Sequence, residues 1–195
     1  MEDNIVGILL AAGQSKRFGG QKLLQSLPNT QVPIAVQSAR HLLNVLPNSI
    51  AVIRTQDQEL KSLLLATGIR VVENPNAELG MSTSIRCAIE NQIAHLPDTQ
   101  GWIIALADMP YIPPNVTQQI YDALLQGALI AAPQYNNRRG HPVGFSGKLT
   151  HELVNLQGDT GAKSIVEKHA GQLQLVITSE QGVLRDIDRT TDLTP

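Results

Sequence analysis

The first seventy-odd residues alternate three short apolar runs with two amphipathic segments of helical period. That rhythm constrains the fold more than any other feature. Residues 5–11, 49–54 and 69–73 read as strands. Between them, residues 33–45 set Ile34, Val36, Leu42, Leu43 and Val45 against Gln37, Ser38 and Arg40, and end at Pro47-Asn48. Residues 57–66 give a second helix, capped by Asp57 or Thr55 and stopped near Gly68. Strand–helix–strand–helix–strand predicts right-handed parallel crossovers in a covered sheet.

The later chain continues the pattern. A helix begins around Met81, with Ser82 as N-cap and Ile85, Ile89 and Ile93 as an apolar stripe. Residues 102–107 are the most apolar run, as expected of a central strand buried on both faces. Helix 113–125, strand 129–133 and a polar, basic loop leading into another strand follow. Residues 148–156 read as helical, and a further helix runs to His169 with Asp159 or Thr160 as its cap. Residues 172–178 and 182–187 read as two late strands, forming a hairpin around residues 179–182.

The length of 195 residues fits a single domain, residues 1–195. A formal net charge of -2 gives no global attraction to nucleic acid or to an anionic membrane, so neither is expected as a partner. One cysteine, Cys87, excludes an internal disulfide framework and fits a reducing compartment. The acidic start, Glu2-Asp3, is unlike a secretory leader, and the apolar stretch after it is too short to span a bilayer. A cytoplasmic protein is expected. The five histidines and the cysteine lack zinc-site spacing, and no G-x-S-x-G element occurs.

The chemistry concentrates in the turn after the first strand, Leu10-Ala11-Ala12-Gly13-Gln14-Ser15-Lys16-Arg17-Phe18-Gly19-Gly20-Gln21-Lys22. Small residues let a ligand approach the main chain, whose amides can converge on an anion. Arg17 and Lys22 add a planar fork and a mobile point charge, both suited to phosphate. Neither the P-loop nor the dinucleotide G-x-G-x-x-G spacing is met. A triphosphate cradle is the expectation. Ser82 and Ser84 lie in the first turn of the third helix, where free amides attract anions.

Asp108 follows the central strand, at the sheet edge where open α/β proteins bind ligands. A carboxylate there can hold Mg²⁺ together with substrate phosphates. Asp186 and Asp188, two residues apart in an extended segment, offer a second carboxylate on one face. Arg138, Arg139 and His141 could bind an anionic second substrate. Asp159 begins a helix whose N-terminus could take a phosphate.

Several of these segments resemble one family. L-A-A-G-x-S-x-R-x-G-x-x-K resembles the opening motif of nucleotidyltransferases that activate sugars, isoprenoid precursors and the molybdenum cofactor. N-P-x(4)-G-M-S-x-S-I-R, L-A-D-M-P and D-I-D-x-x-x-D-L resemble the segments with which they hold nucleoside and metal. R-R-G-H-P-V resembles an acceptor-site segment of the molybdenum-cofactor branch. Together they resemble the molybdenum cofactor cytidylyltransferases and other molybdopterin-guanine-dinucleotide-synthase-related nucleotidyltransferases.

The resemblance implies a three-layer α/β/α nucleotide-diphospho-sugar transferase-like fold, mostly parallel with an antiparallel addition. It implies transfer of CMP from CTP to the terminal phosphate of molybdenum-bound molybdopterin, with release of pyrophosphate. The implied nucleotide contacts are Leu10, Ala11, Ala12, Gly13, Arg17, Lys22, Gly80, Ser84 and Asp108, with Arg17, Lys22 and Asp108 catalytic. Mg²⁺ is the implied cofactor, on Asp108 and Asp188 with Asp186 in reserve; Arg139, His141 and Asp159 face the acceptor. Lys163 stands where the family more often has arginine, and Arg189-Thr190-Thr191 replaces the usual T-P-E. Relatives that use GTP tend to have L-A-G-G at the opening motif. The methyl of Ala12, worth only ~1 kcal/mol, therefore favours a pyrimidine. The alternatives are GTP as donor, a sugar or polyol phosphate as acceptor, a nucleotide sensor, or a non-catalytic carrier delivering cofactor to a molybdenum hydroxylase client.

Overall fold

The computed structural model describes residues 4–14, 18, 20–28 and 30–193. Its strands are β1 Ile5–Leu10, β2 Ile50–Arg54, β3 Arg70–Asn74, β4 Gly101–Leu106, β5 Ile130–Tyr135, β6 Arg138–Arg139, β7 Val143–Ser146 and β8 Leu173–Ile177. The α-helices are α1 Ile34–Leu43, α2 Gln58–Leu65, α3 Met81–Ile93, α4 Pro114–Leu125, α5 Thr150–Val154 and α6 Lys163–Lys168. All the strands join one sheet, ordered β3-β2-β1-β4-β7-β5, with β6 and β8 also pairing with β5.

The order follows from the early alternation. β1 pairs in parallel with β2 and β4, β2 with β3, and β5 with β8. β7 is the antiparallel addition, wedged between β4 and β5, and β6 returns from β5 in a hairpin. Gly144 makes the wedge possible: a Cβ there would lie 2.7 Å from Ile120 Cγ2 and 3.0 Å from Leu124 Cδ1, so α4 could not pack so closely.

Alternation along β1 builds two cores. Ile5 and Leu9 face α1, α2 and α4, whereas Val6, Ile8 and Leu10 face α3, α5 and α6. The expected three layers are therefore present. Each fully buried Leu or Ile contributes roughly 1.5–3 kcal/mol before the entropy of ordering it is charged. Trp102 of β4 is fully buried, and its indole N–H donates to Thr150 Oγ1 at 2.8 Å. No helix among the described residues is long and apolar enough to cross a membrane.

Four local expectations are corrected. Residues 182–187 form no strand: Gln181–Leu184 is a 3-10 turn, whose Val183 carbonyl accepts the His141 amide at 2.9 Å. Its backbone is satisfied by a loop, not by a hairpin partner. Asp57 holds the N-cap position of α2 but its side chain makes no capping bond, because Arg54 engages both its oxygens at 2.8 Å. Ser82 is not the N-cap of α3; that position is Gly80, and Ser82 lies within the first turn at 1% exposure. Neither Asp159 nor Thr160 caps α6, which starts after Ala162.

Candidate nucleotide-binding site

Parallel pairing of β1, β2, β3 and β4 brings their carboxyl ends to one edge of the sheet. A cleft of about 610 Å³ opens there, a size suited to a small-molecule ligand. One wall is the exit of β1. It is fixed by the Ala11 amide donating to Val52 at 2.9 Å and the Ala107 amide to Leu10 at 3.0 Å. Leu10, Ala11, Ala12 and Gly13 line this wall.

The charged centre is assembled from three distant segments. Gln21 adopts a left-handed conformation (φ 34°) and starts a 3-10 turn, Lys22–Leu24. Lys22 is only 6% exposed. Its Nζ donates to Asp108 Oδ2 at 2.7 Å and to Asp188 Oδ1 at 3.5 Å. Asp108 sits just past β4, as expected, and its carbonyl accepts the Ile187 amide at 2.9 Å. The next residue is Asp188. Its amide and that of Arg189 donate to Asp192 Oδ2 at 2.8 and 2.7 Å. These bonds, that from Arg189 first, hold the Asp192 carboxyl below its ordinary value of 3.8.

The opposite wall comes from residues 74–84. Asn74, buried at the end of β3, donates to Thr83 Oγ1 at 2.9 Å and Ser84 Oγ at 3.0 Å, and accepts from the Asn76 amide at 3.0 Å. Ser84 thus reaches the cleft from a fixed position. Gly80 (φ 114°) is required twice over, since a Cβ would also lie 2.8 Å from the Gly158 carbonyl and 2.9 Å from Asp159 Cα. That close approach lets Asp159 Oδ1 accept the Met81 amide at 3.2 Å, so Asp159 serves the N-terminus of α3. Ser82 Oγ is buried without a hydrogen-bond partner. Cys87, half-buried on α3, has its thiol pushed up by burial and then by Glu90, which suits a packed residue more than a nucleophile.

The cleft therefore brings together Leu10, Ala11, Ala12, Gly13, Lys22, Gly80, Ser84, Asp108, Asp159 and Asp188. Arg139 and His141 lie outside its lining. Arg139 is exposed on β6. His141 has an enclosed Nδ1 without a partner, and burial, followed by the charge of Arg139, lowers it to about 4 despite Asp186. Asp186 is exposed, whereas Asp188 faces Lys22. Lys163 lies 3.6 Å from Glu167, away from the cleft. Arg17 lies outside the described residues. Asn74 and Asp192 are fixed positions of the N-P-x(4)-G-M-S-x-S-I-R and D-I-D-x-x-x-D-L segments, and the structure gives each its individual part as a support for Ser84 and Asp188. Beside the motif, a carboxylate four residues after Asp188 suits closing a turn on backbone amides.

No group of three or more His, Cys, Asp and Glu side chains that could hold a metal exists among the described residues. Asp108 and Asp188 nevertheless converge on one point, occupied by the Lys22 ammonium. Two hard carboxylates completed by phosphate oxygens suit Mg²⁺, so the donor set fits such an ion.

A sheet-edge cleft with small-residue walls, a buried lysine and two converging carboxylates marks a three-layer α/β protein with a candidate nucleotide-binding site. The MobA-like NTP transferase domain matches residues 7–173, and the chain belongs to that family. It is 28% identical over 134 residues to a probable molybdenum cofactor guanylyltransferase of Thermococcus sibiricus. That alignment covers 68% of this chain, and the chain spans 63% of the length of that curated relative. The crystal structure of the Mycobacterium tuberculosis Rv0371c homologue from Mycobacterium sp. strain JC1 superposes with a TM-score of 0.84 at 25% identity, covering 98% of this chain and 94% of that one. Rv0371c from Mycobacterium tuberculosis, in complex with manganese, superposes at 0.76 with 23% identity over 97% and 95% of the two chains.

Proposed function

We propose that this protein transfers CMP from CTP to the terminal phosphate of molybdenum-bound molybdopterin, releasing pyrophosphate. The observation that carries the reading is the Lys22–Asp108–Asp188 centre, at the end of the cleft wall formed by residues 10–13. An oxygen of the acceptor phosphate attacks the α-phosphorus of CTP. The new P–O bond forms as the α–β bridge breaks, and the electron pair leaves on pyrophosphate. The chain need supply no nucleophile; positioning and charge suffice for such transfers. Asp108 and Asp188 would hold Mg²⁺, whose charge offsets the repulsion between the two phosphates. Lys22, with Arg17, neutralises the departing pyrophosphate. The amides of Ala12 and Gly13 receive the triphosphate, and Gly80 and Ser84 bound the nucleoside side.

The acceptor side is assigned to Arg139, His141 and Asp159. Antiparallel β7 starts at the sheet edge where β4 ends, since Val143 opposes Ile104. The hairpin carrying Arg139 and His141 therefore flanks that edge, while Asp159 lines the cleft itself. A molybdenum-cofactor acceptor is supported by the likeness to the probable molybdenum cofactor guanylyltransferase, and a divalent cation by the manganese complex of Rv0371c. The relative's name also favours a second reading, with GTP as donor. Ala12, 7% exposed on the cleft wall, favours CTP because its methyl takes space that a purine needs.

The deciding experiment incubates the protein with Mg²⁺ and molybdenum-loaded molybdopterin and compares pyrophosphate release from CTP and GTP. Faster release with CTP, lost in Asp108→Ala while the fold survives, is the expected result. Preference for GTP would move the donor to the second reading. Absence of release with either nucleotide would overturn the proposed acceptor. Full activity of Asp108→Ala would remove that residue from the mechanism.

A further inference from the structure

The Lys22 ammonium touches the two carboxylates to which the proposed reaction assigns a metal. Its side chain is 8% exposed, against 25% for Asp108 and 36% for Asp188, so the lysine lies on the protein side of the pair. Mg²⁺ requires its oxygens at about 2.0–2.1 Å. An ion bound to both carboxylates would therefore fall within a few ångström of Nζ. Two cations so close repel strongly in a part-buried site, and the oxygen lone pairs facing Nζ cannot serve both.

We infer that Lys22 is a displaceable internal cation. Before substrate arrives it holds Asp108 and Asp188 together and competes with divalent metal for them. It releases them when triphosphate oxygens offer the ammonium a replacement partner. The inference rests on the cleft being a nucleotide site.

Lysine suits this exchange. A point charge on a flexible four-carbon stem can change partners by rotating its outer torsions, whereas a guanidinium fork would stay locked to the carboxylates. The short 3-10 turn Lys22–Leu24 fixes the backbone from which that stem swings. The cleft runs without a break from Lys22 to Ala12 and Gly13, giving the ammonium a path to the phosphate wall. Metal alone should then bind weakly, and metal and nucleotide should strengthen each other's binding, as linkage requires. A plain structural ion pair predicts the opposite: without Lys22 the carboxylates would lose their organiser, and metal would bind no better.

The test measures Mn²⁺ binding without nucleotide, from the electron paramagnetic resonance of the free ion, in wild type, Lys22→Met, Lys22→Arg and Asp108→Asn. Lys22→Met should bind Mn²⁺ about tenfold or more tightly than wild type, equivalent to one strong ion-pair competitor removed. Lys22→Arg keeps the cation and should stay near wild type, and Asp108→Asn should lose binding. Equal or weaker Mn²⁺ binding by a cooperatively melting Lys22→Met overturns the inference. Lys22→Gln supplies the same comparison if the methionine variant does not fold. Equilibrium dialysis of CTP and GTP against wild type with Mg²⁺ tests the parent reading separately. Failure to bind either nucleotide overturns that reading, while the Mn²⁺ comparison still decides whether Lys22 and metal compete.

Discussion

The amide of Ile187 donates to the carbonyl oxygen of Asp108 at 2.9 Å. Ile187 is fully buried, so the bond is anchored in the core. It joins the exit of β4 to the residue preceding Asp188, so both carboxylates facing Lys22 hang from one backbone link. Their separation is set by main chain and core packing, and four predictions concern how that frame and its surroundings are held.

Asp192 secures the far side of Asp188 through two amide bonds. Asp192→Ala should leave the fold intact while lowering kcat/KM for pyrophosphate release about 10–100-fold, the usual cost of freeing a ligand from its support. Activity assays paired with thermal melting check this; unchanged kinetics would mean Asp188 is held without the clasp. Because the Asp192 carboxyl is held below 3.8, the clasp is in place above that pH and is lost only as pH falls through the lower folded value.

Gly80→Ala should destabilise the protein by about 1–3 kcal/mol, from a strained backbone and a collision with residues 158–159. Relief of the collision pushes Asp159 from the Met81 amide, so KM for the nucleotide should rise as well. Denaturant unfolding and initial-rate kinetics measure the two effects. A normal midpoint with normal KM would show that the Gly80 contact yields easily.

Ala12→Gly should raise the GTP-to-CTP ratio of kcat/KM by up to about tenfold, the scale of one methyl in a pocket wall. Competition between the two nucleotides reads this directly. A ratio that does not move would place base discrimination elsewhere in the cleft.

His141 is neutral in the fold well below its ordinary pKa, because burial lowers it to about 4. Between about 4 and 6.5 the unfolded chain binds a proton that the folded chain refuses, so stability should rise with pH across that window. At most ~3 kcal/mol is involved, the full shift expressed as energy. Urea unfolding from pH 4 to 7 should show the slope in wild type and a flatter profile in His141→Asn. Parallel profiles would assign the pH dependence to other groups.

Much of the frame was legible because period and burial agree. Residues 5–11, 49–54, 69–73 and 102–107 are apolar runs that became buried or part-buried strands, and Asp108 was placed by the strand it follows. What failed was decided by partners remote in sequence. Val183 and Ile187 carry strand-like apolar spacing, but their backbones bond to His141 and Asp108. Asp159 resembled a local cap and instead serves Met81, 78 residues away. Lys22 was expected to face phosphate, and nothing in its neighbours signals its pairing with carboxylates 86 and 166 residues on. Local chemistry announced the cast of the site; only the sheet's topology set who touches whom.

Trp102 is the sole tryptophan, and its indole is sealed on β4 against Thr150, on the strand that leads to Asp108. The chain thus carries one indole that can be excited apart from its tyrosines, seated in the layer between the sheet and α3, α5 and α6. Its emission should be blue-shifted and resist quenching by iodide while that layer is closed. A single optical signal then follows closure of that layer, with no label added.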